Sequence, residues 1–153
     1  MTDQPPHSPH PLGADAPDKD YVGLAVAGMT SGISSGTALI AATLWAVRSM
    51  MVGAAPTTTP DLNSPAANLL LTGTLAGILL AAVVTWRFLA PVGSTYRQGG
   101  LSMVAAFATI VVSLLAMPVD LLIGRWGVLG LATLFALLAW RLARRARRLA
   151  LEA

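Results

Sequence analysis

Apolar residues run nearly unbroken through four stretches of this chain, 21–47, 68–90, 100–117 and 126–143, and short polar breaks separate them. Each stretch is near the ~20 residues that an α-helix needs to cross ~30 Å of hydrocarbon. None alternates as the strands of a membrane barrel do, and a helix closes its own backbone hydrogen bonds in lipid. The pattern predicts an all-α integral membrane protein with four transmembrane helices in an up-and-down bundle.

The breaks constrain the packing. Those at 91–99 and 118–125 are short enough to favour antiparallel neighbours. The second, third and fourth helices are therefore expected to form a sheaf, with the first laid against it through the longer break 51–67. The first helix is long: 21–47 at ~1.5 Å per residue reaches ~40 Å, which predicts tilt or projection beyond the bilayer. The fourth is short between its tryptophans, so its start could fall within 121–124.

Composition agrees with the pattern. Apolar residues make up 55% and charged residues 11%, against about 45–50% and about 25% in soluble domains, so water is not the solvent of most of this surface. The absence of cysteine excludes disulfides, thiolate metal sites and thiol catalysis. Residues 1–20 hold Pro5, Pro6, Pro9, Pro11 and Pro17 with Asp3, Asp15, Asp18 and Asp20 against Lys19, and read as a disordered acidic tail. A cleavable secretory signal would begin basic and pass at once to a short apolar core, so the first helix is expected to remain in the mature protein. His7 and His10 lack a third ligand nearby, and a solvated tail explains them better than a metal site.

Charge sets the expected orientation. Four crossings put both termini and the 91–99 break on one side, which collects Lys19, Arg87, Arg97, Arg141, Arg144, Arg145, Arg147 and Arg148; the other side holds Arg48 and Arg125. By the positive-inside rule both termini are cytoplasmic. Tyr21, Trp86, Tyr96 and Trp140 then fall at the inner interface and Trp45 and Trp126 at the outer one, where aromatic belts belong. The outward break carries no glycosylation sequon, because Asn63 and Ser64 are followed by Pro65. The expected location is the inner (cytoplasmic) membrane of a bacterium.

Small residues carry the most specific packing signal. Gly28, Gly32 and Gly36 repeat every four residues in the first helix, and Gly73, Gly77 and Ala81 do so in the second. Such faces admit close helix approach, either within the chain or between subunits. Ala105, Thr109 and Ser113 form a milder series in the third helix. The first helix also carries Thr30, Ser31, Ser34, Ser35, Thr37 and Thr43 over more than one face. These hydroxyls could line a polar path or bond a partner helix, but each can equally bond a carbonyl one turn back on its own helix.

Charge within the spans is where transporters declare themselves, because an ion at the bilayer centre costs about 2.5–3.5 kcal/mol on the insertion scale. None falls at the centre of a stretch. Asp120 stands near the outer end of the third helix, where pairing with Arg125 or Arg48 would clamp the helix ends. At the other end, Arg141, Arg144, Arg145 and Arg148 share one helical face, and Leu142, Ala146 and Leu149 occupy another. The stretch 144–153 therefore reads as a basic amphipathic extension suited to anionic lipid or an acidic partner surface. Thr85-Trp86-Arg87 and Ala139-Trp140-Arg141 fit interfacial anchoring, with the arginine stems snorkelling towards the headgroups.

Several functions are argued against by chemistry. Both histidines lie in the tail, no Gly-rich phosphate loop is followed by lysine, and no Ser, His and acid set can converge at one depth. The sequence therefore predicts no enzyme, no cofactor and no nucleic-acid partner. It points to an accessory, structural or assembly subunit of a larger membrane complex, in contact with lipid and with other subunits or copies of itself. A homo-oligomeric pore of holin-like type and a small solute carrier are the alternatives.

Overall fold

The computed structural model describes residues 18–52, 64–91 and 95–152, and among them there is helix and turn but no strand. Three hydrogen-bonded helices result: α1 (Asp18–Met51), α2 (Pro65–Leu89) and α3 (Thr95–Glu152). Within them lie four segments long and apolar enough to cross a membrane, Val22–Met51, Pro65–Leu89, Thr95–Pro118 and Leu122–Leu149. The last two are the leading and trailing arms of α3, which breaks helical geometry at Gly124 (φ 75°, ψ −173°).

The helices are longer than their apolar cores at 21–47, 68–90, 100–117 and 126–143, because capping and interfacial residues extend them. Before α2, Ser64 is extended (φ −64°, ψ 146°) and its hydroxyl accepts the Ala67 N–H at 3.2 Å, with Pro65 pre-set for the first helical position. The break between α2 and α3 shrinks because Tyr96, Arg97 and Gln98 join the first turns of α3. Gln98 also closes the end of α2: its amide nitrogen donates to the carbonyls of Leu89 at 3.2 Å and Ala90 at 3.5 Å. Carbonyls there have no partner on their own helix, and lipid supplies none. Gln98→Leu is expected to lower stability by about 1–2 kcal/mol, the scale of a buried acceptor left unsatisfied. An unchanged midpoint of thermal unfolding in detergent would contradict this role.

The packing register follows from the contacts. Near the start of α1, Leu24 and Ala27 cluster with Ala146 of the trailing arm and with Phe88 of α2. Val22, Ala25 and Met29 border the same groove as Tyr96, Gly100 and Leu101 of the leading arm. Towards its other end, Ala41 clusters with Val128 and Ala132. So α1 runs antiparallel to α2 and to the trailing arm and parallel to the leading arm, and α3 doubles back at Gly124. Both ends of the described chain lie at one end of the bundle.

Placement of α1 differs from the sheaf predicted by loop length. Its most apolar window is 56% buried, against 17% for α2 and for each arm of α3, so α1 is the axis and the other helices surround it. The reason lies in side-chain size. Glycine, alanine, serine and threonine on α1 let three neighbours approach, while large apolar side chains on the others face outward. Leu71, Leu75, Leu79 and Val83 make one exposed stripe on α2, and Met103, Phe107, Val111 and Leu115 make another on the leading arm.

The tryptophans form two levels. Gly28 lies against Phe88, and the Ser31 hydroxyl approaches the Ala139 carbonyl at 3.4 Å, so Trp86 and Trp140 sit at the depth of about residue 30. Trp45 and Trp126 lie towards the opposite end, about 22 Å away at ~1.5 Å per residue. That separation is shorter than the ~30 Å of a hydrocarbon layer, so the two tryptophan levels lie inside the full lengths of the helices.

Candidate functional site

Three sets of residues stand out from the sequence, and the structure treats them differently. The glycines of α1 and the small residues of α2 meet within one chain. A Cβ built on Gly36 would lie 2.6 Å from the Gly77 carbonyl oxygen and 3.0 Å from the Ala81 Cβ. One on Gly32 would lie 2.6 Å from the Ala81 carbonyl oxygen, and one on Gly28 would lie 3.0 Å from the Phe88 Cβ. From the α2 side, a Cβ on Gly77 would meet the Gly36 carbonyl oxygen at 2.8 Å, and Gly73 sits against Thr43. Thr109 of the leading arm, fully buried, closes the third side of Gly36. Helices this close leave no room for even one methyl group.

The outer-end set is only partly described. Arg125 lies with its guanidinium carbon 5.3 Å from the Trp126 ring centroid, a cation–π distance, and Arg48 stands in the last turn of α1. The side chain of Asp120 lies outside the described residues, as do residues 1–17 with the acidic tail, His7 and His10, and the break 53–63.

At the opposite end, Arg141, Arg144, Arg145 and Arg148 are all exposed. Arg144 lies over the Trp140 ring at 3.7 Å from its centroid, which fixes one guanidinium at the tryptophan's depth. Ala146, on the other face, is buried against α1. The helix thus continues past 144 with one face, at Ala146, against α1 and its arginines exposed.

Most hydroxyls are spent on their own helices. Thr30, Ser35, Thr43, Ser49, Thr72, Thr74, Thr85, Thr109 and Thr133 each donate to the carbonyl four residues back, at 2.6–2.8 Å. Two do otherwise. The Thr37 and Ser113 hydroxyl oxygens are buried without a hydrogen-bond partner, as is the Trp45 indole nitrogen. Thr37 and Ser113 line the same cavity, of about 250 Å³, between α1 and the two arms of α3 on the Gly124 side of the bundle. Its other walls are apolar, among them Ile40, Leu44, Val128 and Leu131.

In the sequence, Thr37 and Ser113 are ordinary small or hydroxylated positions, and nothing there signals the cavity that both residues line. The Gln98 cap was missed as well. A lone amide just inside a membrane helix, after a proline-bearing break, was the available signal for Gln98. For the cavity there was none, because it depends on how α1 and α3 are staggered. Among the described residues no group of three His, Cys, Asp or Glu side chains could hold a metal ion. Comparisons with known protein families, curated proteins and solved structures find no match to this chain.

Proposed function

We propose that this chain is an accessory or assembly subunit of a larger membrane complex, seated in the inner membrane of a bacterium with both termini cytoplasmic. The observation that carries the reading is the inward use of α1. Its small and hydroxylated residues are consumed in holding α2 and α3, which leaves large apolar side chains of α2 and of both arms of α3 as the outer surface. Such a surface has no chemistry of its own beyond packing against lipid or against other membrane helices. The exposed arginines at one end add attraction for anionic headgroups or an acidic subunit.

Charge distribution supports the orientation. Arg87, Arg97 and the arginines from 141 onwards gather at the end where Leu24 meets Ala146, while Arg48 and Arg125 lie at the other. A pore between identical subunits would need the hydroxylated faces of α1 at a subunit interface, and that helix is the most enclosed of all. A carrier would rest on Asp120.

Purification of the native protein in mild detergent tests the proposal. It is expected to run as part of a stable assembly with a different membrane protein, and Leu75→Ala with Leu79→Ala or Phe107→Ala should weaken retention without unfolding the bundle. A ring of identical chains that makes liposomes leak, or saturable solute uptake lost on Asp120→Asn, would replace it with the pore or the carrier.

A further inference from the structure

We propose that a groove bounded by the start of α1, the last turns of α2 and the end of α3 holds an anionic phospholipid, with its phosphate between Arg87 and Arg147. The groove measures about 550 Å³, and both arginines line it and are exposed. They come from different helices, and the packing beneath brings them together. Phe88 packs on the cluster of Leu24, Ala27 and Ala146, and Arg87 and Arg147 are the chain neighbours of Phe88 and Ala146. Leu24, Phe88 and Ala146 also line the groove, so its floor is apolar.

The chemistry of the groove changes with depth. Arg87 stands in the last turn of α2. Val83, which also lines the groove and is exposed, lies one turn deeper, ~6 Å away at ~1.5 Å per residue. A phospholipid presents the same order, a phosphate above and hydrocarbon below. A wholly polar solute would gain nothing from Val83 and Val84, and a hydrocarbon would gain nothing from the arginines.

Charge selects among headgroups. The planar guanidinium fork takes phosphate oxygens two at a time, and two arginines at one groove repel each other until an anion lies between them. A headgroup with its own ammonium would bring a third cation, which costs affinity through like-charge repulsion. The site therefore favours a lipid whose phosphate is its only charge, in the setting where basic pockets between membrane helices hold acidic lipids. Asp18, Asp20 and Glu152 belong to the same end of the bundle, but Lys19, Arg87, Arg97 and the arginines of the last turns outnumber them. No partner subunit is needed, so the site stands whether or not the chain is an accessory subunit.

The test is native mass spectrometry of the full chain, stripped of native lipid in detergent and titrated with dioleoylphosphatidylglycerol or dioleoylphosphatidylcholine. A saturating single adduct is expected for phosphatidylglycerol, with phosphatidylcholine bound at least about 5-fold more weakly. Arg87→Gln and Arg147→Gln should each weaken phosphatidylglycerol binding at least about 5-fold, the scale of one arginine at an anionic lipid, with helicity by circular dichroism unchanged. Arg97→Gln removes the same charge at the same end but borders a different groove, and should leave the affinity within about 2-fold. Inorganic phosphate at the lipid's concentration should not displace it, because phosphate gains nothing from the apolar wall. Equal binding of the two lipids, equal weakening by Arg97→Gln, or displacement by phosphate would each overturn the proposal. So would an acidic polypeptide that co-purifies with the native chain and is lost from both Gln variants while lipid retention stays the same.

Discussion

Gly32→Leu is expected to separate α1 from α2 and to lower the stability of the bundle by about 3 kcal/mol or more, the upper range of overpacking effects. A Cβ at this position would lie 2.6 Å from the Ala81 carbonyl oxygen, and the Thr85 side chain occupies the same space. The Thr85 hydroxyl could turn away, but the Ala81 carbonyl is backbone and no rotamer change relieves it, so one helix must move. Since α1 also carries the contacts to both arms of α3, displacement at Gly32 spreads to Thr109 beside Gly36 and to Ala146 beside Leu24. Thermal unfolding in detergent, read by circular dichroism, measures the loss. Gly100→Leu is the control, because nothing lies within 4 Å of a Cβ there. Ser34→Ala, which removes a hydroxyl at a buried position on the same helix, should cost no more than about 1 kcal/mol. Equal stability of Gly32→Leu and Gly100→Leu would remove the close-approach argument.

Gly124→Ala tests a different kind of constraint. No atom lies within 4 Å of a Cβ at this position, so packing predicts no effect. Backbone geometry predicts a large one. At φ 75° and ψ −173° Gly124 occupies a region that is essentially closed to L-residues, with a cost of about 1–3 kcal/mol. The substitution should destabilise the fold-back of the trailing arm on the leading arm and lower the unfolding midpoint, with a further drop for Gly124→Val. D-alanine introduced by semisynthesis should be tolerated, because its mirror-image preference matches these angles. Gly130→Ala, at a helical position with no atom within 4 Å, should stay within about 0.5 kcal/mol of the parent. If L-alanine and D-alanine at 124 behave alike, the turn does not depend on that conformation.

The four spans are legible from hydropathy alone, because lipid leaves a helix few alternatives. Their ends are not. Tyr96, Arg97 and Gln98 look like a polar break, yet interfacial residues of this kind can continue a helix, and Gln98 does so while capping α2. Likewise the break at 118–125 presents two breakers, Pro118 and Gly124. Proline costs only a local hydrogen bond and stays within the helical run, whereas glycine supplies the reversal. Which one turns the chain depends on where the two arms must meet α1.

Placement of α1 illustrates a conflict between local and global signals. Short connections favour a sheaf of the later helices, and they are indeed neighbours in sequence. The stronger term is the surface of α1 itself: with Gly28, Gly32, Gly36 and its hydroxyls it has the least large apolar area to offer lipid and the most to gain from enclosure. Burial of Ser31, Ser34 and Thr37 follows from that position. The unpartnered state of Thr37 and Ser113 was beyond the reach of sequence, since periodicity places them on helix faces but fixes neither their neighbours nor the space between.

The packing of the bundle rests on α1 being the enclosed axis of a single chain. The chain has no cysteine, so paired substitutions report without background. Ala27→Cys with Ala146→Cys and, separately, Ala41→Cys with Ala132→Cys would be treated in native membranes with a short bifunctional maleimide. Both pairs belong to buried clusters that join α1 to the trailing arm at opposite ends of the bundle. Efficient cross-links within one chain are expected for both pairs, detected as faster-migrating monomer, and none for Ala27→Cys with Ala132→Cys. Cross-linked dimers in place of monomers, or no reaction from either buried pair, would contradict that packing.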